Sequence, residues 1–165
     1  MRFTHRTSYD APPDDVRRML TDPAFRARVC EAMQASRKDV SVEPAGSAGS
    51  ADGEVSVVVD QTQPARGIPS FAAKFVGDQI RIVQRETWSG GTAVLAIEIP
   101  GKPGTFRGSI DLAASGAGTV ESVTGEVTVK VPLVAGKLEG VVSELFGSAL
   151  RTEESVGRAW LAGRR

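Results

Sequence analysis

Few side chains in this sequence could carry out chemistry, and the most informative of them alternate along one predicted strand. Gln84, Glu86 and Trp88 share a face with Ile82 in the segment of residues 79–88. A carboxylate on an inward face costs several kcal/mol unless it is paired, neutralised or hydrated. Glu86 therefore either helps to form the polar floor of a cavity or lies beside a bulge that turns it towards solvent.

His5 and Tyr9 are the other candidate acid–base groups, and they share one face of the first predicted strand. They could orient a ligand together with Glu86, or act as acid and base if the three groups converge around a pocket. A single histidine excludes a two-histidine metal site within one subunit. No serine stands in a Gly-x-Ser-x-Gly elbow, and no glycine-rich segment matches a phosphate-binding motif. We therefore assign no catalytic residue, no metal site and no cofactor.

The composition argues against several classes of partner. Twenty basic residues balance twenty acidic ones and 5% of the residues are aromatic, so nothing favours nucleic acid. Cys30 is the only cysteine, which fits a reducing compartment. No segment approaches the roughly 18 apolar residues of a membrane span, and the first residues lack the apolar stretch of a secretory signal. We expect a cytoplasmic protein without integral membrane association, and its arginine, alanine and glycine usage suggests a GC-rich bacterial genome.

The elements that position these residues follow from the spacing of apolar side chains. Residues 2–9 alternate as a strand does, and Asp10 with the prolines after it begins a short helix. A second short helix carries Phe25 inward, and Arg26 is expected on a solvated face. Between residues 38 and 131 the period is two, with turn signals and no crossover helices, which predicts an antiparallel meander.

Residues 133–161 predict one long amphipathic helix that closes the chain. Its apolar stripe has to cover the inner face of the strands, since no other large apolar surface is left for it. The segment of residues 61–78 breaks the strand periodicity and carries Phe71 and Phe75 at helical spacing. This segment predicts either a lid over the mouth of a cavity or a plug at the end of the sheet.

This order of elements, with one strand, two short helices, six strands and a long helix, resembles the START-like superfamily, also called SRPBCC or helix-grip. The segment from Tyr9 to Pro23 is similar to that group's passage from the first strand into paired helices, and residues 131–139 and 153–157 are similar to its terminal helix. The resemblance extends over residues 1–165 as a single domain and points to an uncharacterised bacterial subfamily. It implies an α+β helix-grip fold, with a curved antiparallel sheet of about seven strands around the C-terminal helix.

The same resemblance implies a deep apolar cavity between the sheet and the terminal helix. The main hypothesis is non-catalytic binding or carriage of a small hydrophobic or amphipathic molecule, such as a lipid, a quinone or a polyketide-like compound. The alternatives are a cyclase or aromatase-type enzyme, a protein-interaction module with a closed cavity, and an ordinary packed core. The strand alternation and the helix stripe predict the ligand-binding residues: His5, Tyr9, Phe71, Phe75, Ile82, Gln84, Glu86, Trp88, Leu95, Ile97, Phe106, Ile110, Val129, Leu138, Val142 and Leu145.

Overall fold

One antiparallel sheet forms the framework of the structure, a computed structural model that describes residues 1–45 and 53–164. Within these residues the seven strands are β1 (Arg2–Tyr9), β2 (Arg37–Pro44), β3 (Val55–Pro64), β4 (Gln79–Ser89), β5 (Thr92–Glu98), β6 (Gly104–Ser115) and β7 (Gly118–Val129). Across the sheet they follow the order β1-β7-β6-β5-β4-β3-β2. Each strand from β2 to β6 therefore pairs with the next one along the chain, and all pairs are antiparallel. The sheet is the predicted meander, with β1 beside β7.

The same described ranges contain four helices: α1 (Pro13–Leu20), α2 (Pro23–Ala32), α3 (Ser70–Ala73) and α4 (Ala135–Leu161). Prolines begin α1 and α2, where the N–H that proline lacks would have no helical partner. Asp22 caps α2 by accepting a hydrogen bond from the backbone N–H of Ala24 at 2.8 Å. No helix in these ranges is long and apolar enough to cross a membrane.

The arrangement of these elements confirms the predicted α+β helix-grip fold, because α4 packs against β1, β7 and α2. Two boundaries differ from the sequence-based expectation. The terminal helix begins at Ala135, since Leu133 has a left-handed backbone with φ of 71°, which an α-helix cannot continue. β3 continues to Pro64, so the irregular segment after it is shorter than expected and contains the single turn of α3.

The main core lies between the sheet and the helices α1, α2 and α4. Its fully buried side chains include Leu20 of α1, Phe25 of α2 and Trp88 of β4. Gly157 permits the close approach of α4, because a Cβ atom at this position would lie 2.9 Å from Cε1 of Tyr9. The position therefore requires glycine although the residue lowers helix propensity.

A second, smaller apolar cluster joins α3 to the start of α4. Its buried members are Ala72, Val129 and Leu138, with Phe75 packed against them. Val142 of α4 packs against both this cluster and the main core. The two clusters are thus bridged along one face of α4, and this is the face that the candidate site uses.

Candidate functional site

A cavity of about 360 Å³ lies between the inner face of the sheet and α4, and it is partly open to solvent. Strands β4 to β7 supply one wall, α4 supplies the other, and the ends of α2 and β3 together with the α3 segment complete the lining. The apolar members of the lining include Ile80, Ile82, Ile97, Ile99, Phe106, Val127, Val129, Leu138, Val142, Leu145 and Phe146. Because several of these side chains are only half-buried, the cavity offers apolar surface to a guest.

Phe106 and Phe146 form an aromatic side to the cavity, and Phe3, which is not among the described lining residues, packs against both rings. The Phe106 and Phe146 rings lie 4.8 Å apart between centroids, and the Phe3 ring lies 4.7 Å from that of Phe146. Phe106 can lie along the sheet because Gly108 and Gly125 face each other across β6 and β7. A Cβ atom on Gly125 would come within 2.6 Å of the Phe106 ring. The glycine pair thus keeps this ring against the sheet, which leaves space under α4.

Polar groups interrupt the apolar lining at a few positions. Gln61 and Gln63 on β3 line the cavity, and their side-chain oxygens are buried without a hydrogen-bond partner among the described residues. Gln84 also lines it and donates a hydrogen bond from Nε2 to Glu86 at 2.5 Å. Glu153 of α4, 9% exposed, is the one carboxylate among the described lining residues. The lining therefore combines a large apolar surface with a few hydrogen-bonding groups, as ligand sites do.

A buried charge network stands behind this polar part of the lining. The Arg26 guanidinium donates to both oxygens of Glu86 at 2.8 and 2.7 Å, to Glu153 at 3.0 Å and to the Leu20 carbonyl at 2.7 Å. Trp88 adds a hydrogen bond from its indole N–H to Glu86 at 2.6 Å. The network joins α2, β4 and α4, and its members are at most 9% exposed.

The electrostatics of this network explain how it is tolerated in the core. Burial alone would lower the pKa of Arg26, but the carboxylates of Glu86 and Glu153 raise it above its usual value. Burial raises the pKa of Glu153, and the charge of Arg26 opposes that shift. Both oxygens of Glu86 accept hydrogen bonds from Nη2 of Arg26, and Gln84 and Trp88 add two further donors, so this buried carboxylate has the partners that it needs.

A third buried carboxyl group, Glu121 on β7, lies close to the network and interacts with Tyr9. Burial and the neighbouring charge of Glu153 raise the pKa of Glu121 to about 8, so the group holds a proton at neutral pH. Burial is the main cause of the raised pKa of the Tyr9 phenol, and the charge of Glu121 raises it further. Both side chains lie in the core rather than in the described lining of the cavity.

The structure brings nine of the sixteen predicted ligand-binding residues together around the cavity. They come from the α3 segment, from β4 to β7 and from α4, the elements whose inward positions the periodicity identifies. The nine residues are Phe75, Ile82, Gln84, Ile97, Phe106, Val129, Leu138, Val142 and Leu145. Contact between any of them and a ligand stays a prediction.

The other seven predicted residues lie outside the described lining. Tyr9, Trp88, Leu95 and Ile110 are buried in the main core, and Glu86 is buried in the charge network. His5 is half-buried on β1, where burial lowers its pKa, and Phe71 is 44% exposed. The enzyme alternative required His5, Tyr9 and Glu86 to converge around a pocket, but none of the three borders this cavity.

Sequence reasoning missed two members of the network. Arg26 is 3% exposed, so its expected place on a solvated face is wrong. The signal was available, because Arg26 stands three and four residues before the buried Val29 and Cys30 of the same helix. Glu153 likewise lies four residues after Ala149 and three before Val156, on the apolar stripe of α4. The inward carboxylate of Glu86 on β4 needs a positively charged partner, and Arg26 on the inward face of α2 is that partner.

Metal-ion binding has no support in the described ranges, where no group of three or more histidine, cysteine, aspartate or glutamate side chains could hold an ion. The described lining offers apolar contact, hydrogen bonding and the charged groups of Arg66, Lys102 and Glu153. Its amide and carboxylate groups come from β3, β4 and α4 and interrupt a mainly apolar lining. Such a surface suits a molecule that is mainly apolar and carries a polar group.

Solved structures of other proteins share this architecture. TTHA0849 from Thermus thermophilus matches with a TM-score of 0.65 at 16% identity over 100% of both chains. A START superfamily protein from Mycobacterium smegmatis matches with a TM-score of 0.58 at 9% identity, over 93% of this chain and 94% of its own. A norcoclaurine synthase point mutant from Thalictrum flavum, in complex with a transition-state analogue, gives 0.57 at 13% identity over 94% and 93%. These likenesses confirm the START-like fold.

A search of curated proteins finds no match to the sequence. A family model does match it, and this model is described as a protein of unknown function, DUF2505. The match spans residues 4–161, which contain nearly all of β1 and the whole of the other six described strands and of α4. The chain therefore belongs to the DUF2505 family, and it has the START-like helix-grip fold.

Proposed function

We propose that this protein binds or carries a small hydrophobic or amphipathic molecule in the cavity under α4, without covalent chemistry. The observation that carries the proposal is a mainly apolar space of about 360 Å³ whose lining includes buried amide oxygens that have no partner within residues 1–45 and 53–164. The fold shared with START superfamily structures supports it. A lipid, a quinone or a polyketide-like compound has the required chemistry. A cytoplasmic location, based on the lone Cys30, remains part of the proposal.

The energetics favour an occupied cavity. A dry apolar void costs about 24 cal/mol per Å³, so about 360 Å³ would cost roughly 9 kcal/mol if it were empty. That penalty is comparable to the whole stability of a typical domain. Water can enter through the opening, but side chains such as Ile82, Ile97 and Leu145 cannot hydrogen-bond to it. An apolar guest would displace this water and gain roughly 25 cal/mol for each Å² of apolar surface buried.

The polar groups of the lining would orient the guest. Gln61 is 8% exposed, and among the described residues the recorded partner of its side-chain N–H group is the Met33 sulfur, at 3.7 Å. Gln63 stands two residues along the same face of β3. Their amides can accept hydrogen bonds or, with the amide turned over, donate them. A hydroxyl or carbonyl group on an otherwise apolar ligand would satisfy these buried groups, which are costly when unpaired.

Titration with anilinonaphthalene sulfonate tests this proposal, because the dye fluoresces when it enters an apolar site. We expect binding to one site per chain in the native protein. Val142→Trp should weaken it at least tenfold, about 1.4 kcal/mol, because the indole would occupy the cavity. Val94→Trp is the matched control, since Val94 is 68% exposed on the outer face of β5. Equal binding by the two variants, both still folded, would refute the proposal.

A further inference from the structure

The end of the molecule that carries α3 and the start of α4 exposes the large apolar side chains of Phe71 and Leu133. Phe71 of α3 is 44% exposed and directly precedes Ala72, which lines the cavity. Leu133 is fully exposed, just before α4. The small cluster of Ala72, Val129 and Leu138 holds the α3 segment and the start of α4 together, so both side chains belong to one end of the molecule.

The conformation of Leu133 makes its exposure more notable. Its φ of 71° lies in the left-handed region, which disfavours a leucine. The side chain gains no burial in return, because it is fully exposed. Neither packing nor backbone preference accounts for a leucine at this position, whereas contact with an apolar environment outside the protein would account for it.

Lysines concentrate at the same end. Four of the five lysines of the chain are there, namely Lys74, Lys102, Lys130 and Lys137, and all are exposed. The Lys74 ammonium lies 5.0 Å from the centre of the Phe75 ring, and Lys102 lines the cavity. The backbone N–H of Lys130 donates to the Pro103 carbonyl at 3.0 Å, which places Lys130 beside the Lys102 loop. Lys137 stands next to Leu138 in the first turn of α4.

These lysines are not neutralised by carboxylates. Within residues 1–45 and 53–164, none of the four forms an ion pair. Arg66, which also lines the cavity, is likewise without a carboxylate partner in those ranges. The acidic residues near these cations in the chain are Asp78, Glu98, Glu126 and Glu139. Glu98 pairs with Arg107 at 2.6 Å, and Glu126 and Glu139 lie 3.9 and 3.3 Å from the N-terminal amine, with Glu139 also accepting from the backbone N–H of Val129. In a chain with no net charge, this end is positive.

We propose that this mouth surface, formed by Arg66, Phe71, Lys74, Lys102, Lys130, Leu133 and Lys137, docks onto a membrane that contains anionic lipids. Exposed apolar side chains ringed by lysines suit an anionic lipid surface, because the apolar groups enter the headgroup region while the cations meet the lipid charges. Docking would place the cavity opening against the bilayer. An apolar molecule could then pass between membrane and cavity with little exposure to water.

Flotation with lipid vesicles tests the proposal on the full chain. Vesicles of equal parts phosphatidylcholine and phosphatidylglycerol should bind the protein, whereas vesicles of phosphatidylcholine alone should not. Each lysine near an anionic surface strengthens binding about fivefold, so Lys130→Gln with Lys137→Gln should weaken it roughly 25-fold. The double variant with Phe71→Ser and Leu133→Ser should also bind vesicles more weakly, and it should lose the part of the binding that persists at high salt.

Matched controls come from the rest of the chain. Lys38→Gln changes the fifth lysine, and Val94→Ser removes an exposed apolar side chain from the outer face of β5. Both controls should bind vesicles as the native protein does. Equal binding to charged and uncharged vesicles, or equal binding by mouth-surface and control variants, would overturn the proposal. Tight binding to polyglutamate without binding to anionic vesicles would also overturn it, and would assign the surface to an acidic protein.

Discussion

Replacing Arg26 with methionine tests how the buried network holds the walls of the cavity together. The change removes four hydrogen bonds, two to Glu86 and one each to Glu153 and the Leu20 carbonyl. It also leaves two carboxylates in the core without their counter-ion. Breaking a buried ion pair by removing one partner costs about 3–5 kcal/mol. Against a typical domain stability of about 5–15 kcal/mol, this loss would be large.

A matched substitution isolates the role of burial. Arg81 donates to both oxygens of Asp60, from Nε at 2.9 Å and from Nη2 at 2.6 Å, and Arg26 likewise contacts both oxygens of Glu86, from Nη2 alone. The Arg81 side chain is 55% exposed, however, whereas that of Arg26 is 3% exposed. Exposed pairs contribute about 0–1 kcal/mol. Arg81→Met should therefore change the free energy of unfolding by no more than about 1 kcal/mol.

Urea unfolding monitored by tryptophan fluorescence measures both changes, because Trp88 is itself bonded to Glu86. Adding Glu86→Gln to Arg26→Met should recover part of the lost stability, since it removes an unpaired buried charge while keeping an acceptor for Trp88. The stability lost through Arg26→Met should also become smaller as the pH falls, because the carboxylates left without a counter-ion then take up protons. The reasoning would be refuted if Arg26→Met lowered the free energy of unfolding by as little as Arg81→Met does and if adding Glu86→Gln restored none of that loss.

Further substitutions test the core around α4. The pKa of Glu121, about 8 when folded, exceeds its unfolded value, so the native protein should lose stability on the order of a few kcal/mol between about pH 5 and pH 8. Glu121→Gln should flatten that profile in urea unfolding, and an unchanged slope would contradict the assignment. Gly157→Ala should destabilise by about 1–3 kcal/mol because its Cβ would lie 2.9 Å from Cε1 of Tyr9. A Cβ atom at Gly140 would lie 4.0 Å from its nearest neighbour, Cε of Met1, so Gly140→Ala should stabilise the protein by up to about 1 kcal/mol in thermal melts. Equal effects of Gly157→Ala and Gly140→Ala on stability would refute the packing argument.

The fold could be predicted from the sequence because periodicity is a local property. Strand alternation and the amphipathic stripe of the last helix need no knowledge of partners, and the START-like resemblance supplies their order. The limits of α4 were less predictable, since nothing in the apolar pattern shows that Leu133 takes a left-handed backbone. The single-domain organisation stays a prediction.

The site was predicted in part, and the failures share a physical cause. Alternation shows that Gln84 and Glu86 face inward, but it cannot show which inward residue borders open space and which has a counter-ion. That distinction depends on Arg26 from another element, whose charge suggested a solvated face. Phe71 and Phe75 are a similar case, because Phe71 in the turn of α3 is exposed, whereas Phe75, two residues after that turn, packs against the small cluster.

Native mass spectrometry of protein purified from cells tests the existence of a cavity ligand most directly. We expect the native protein to carry one small molecule per chain, which organic extraction removes and which the Val142→Trp variant lacks. The Val94→Trp variant should carry the same molecule as the native protein. A native protein with only the mass of its polypeptide, and with no affinity for anilinonaphthalene sulfonate, would contradict the binding function.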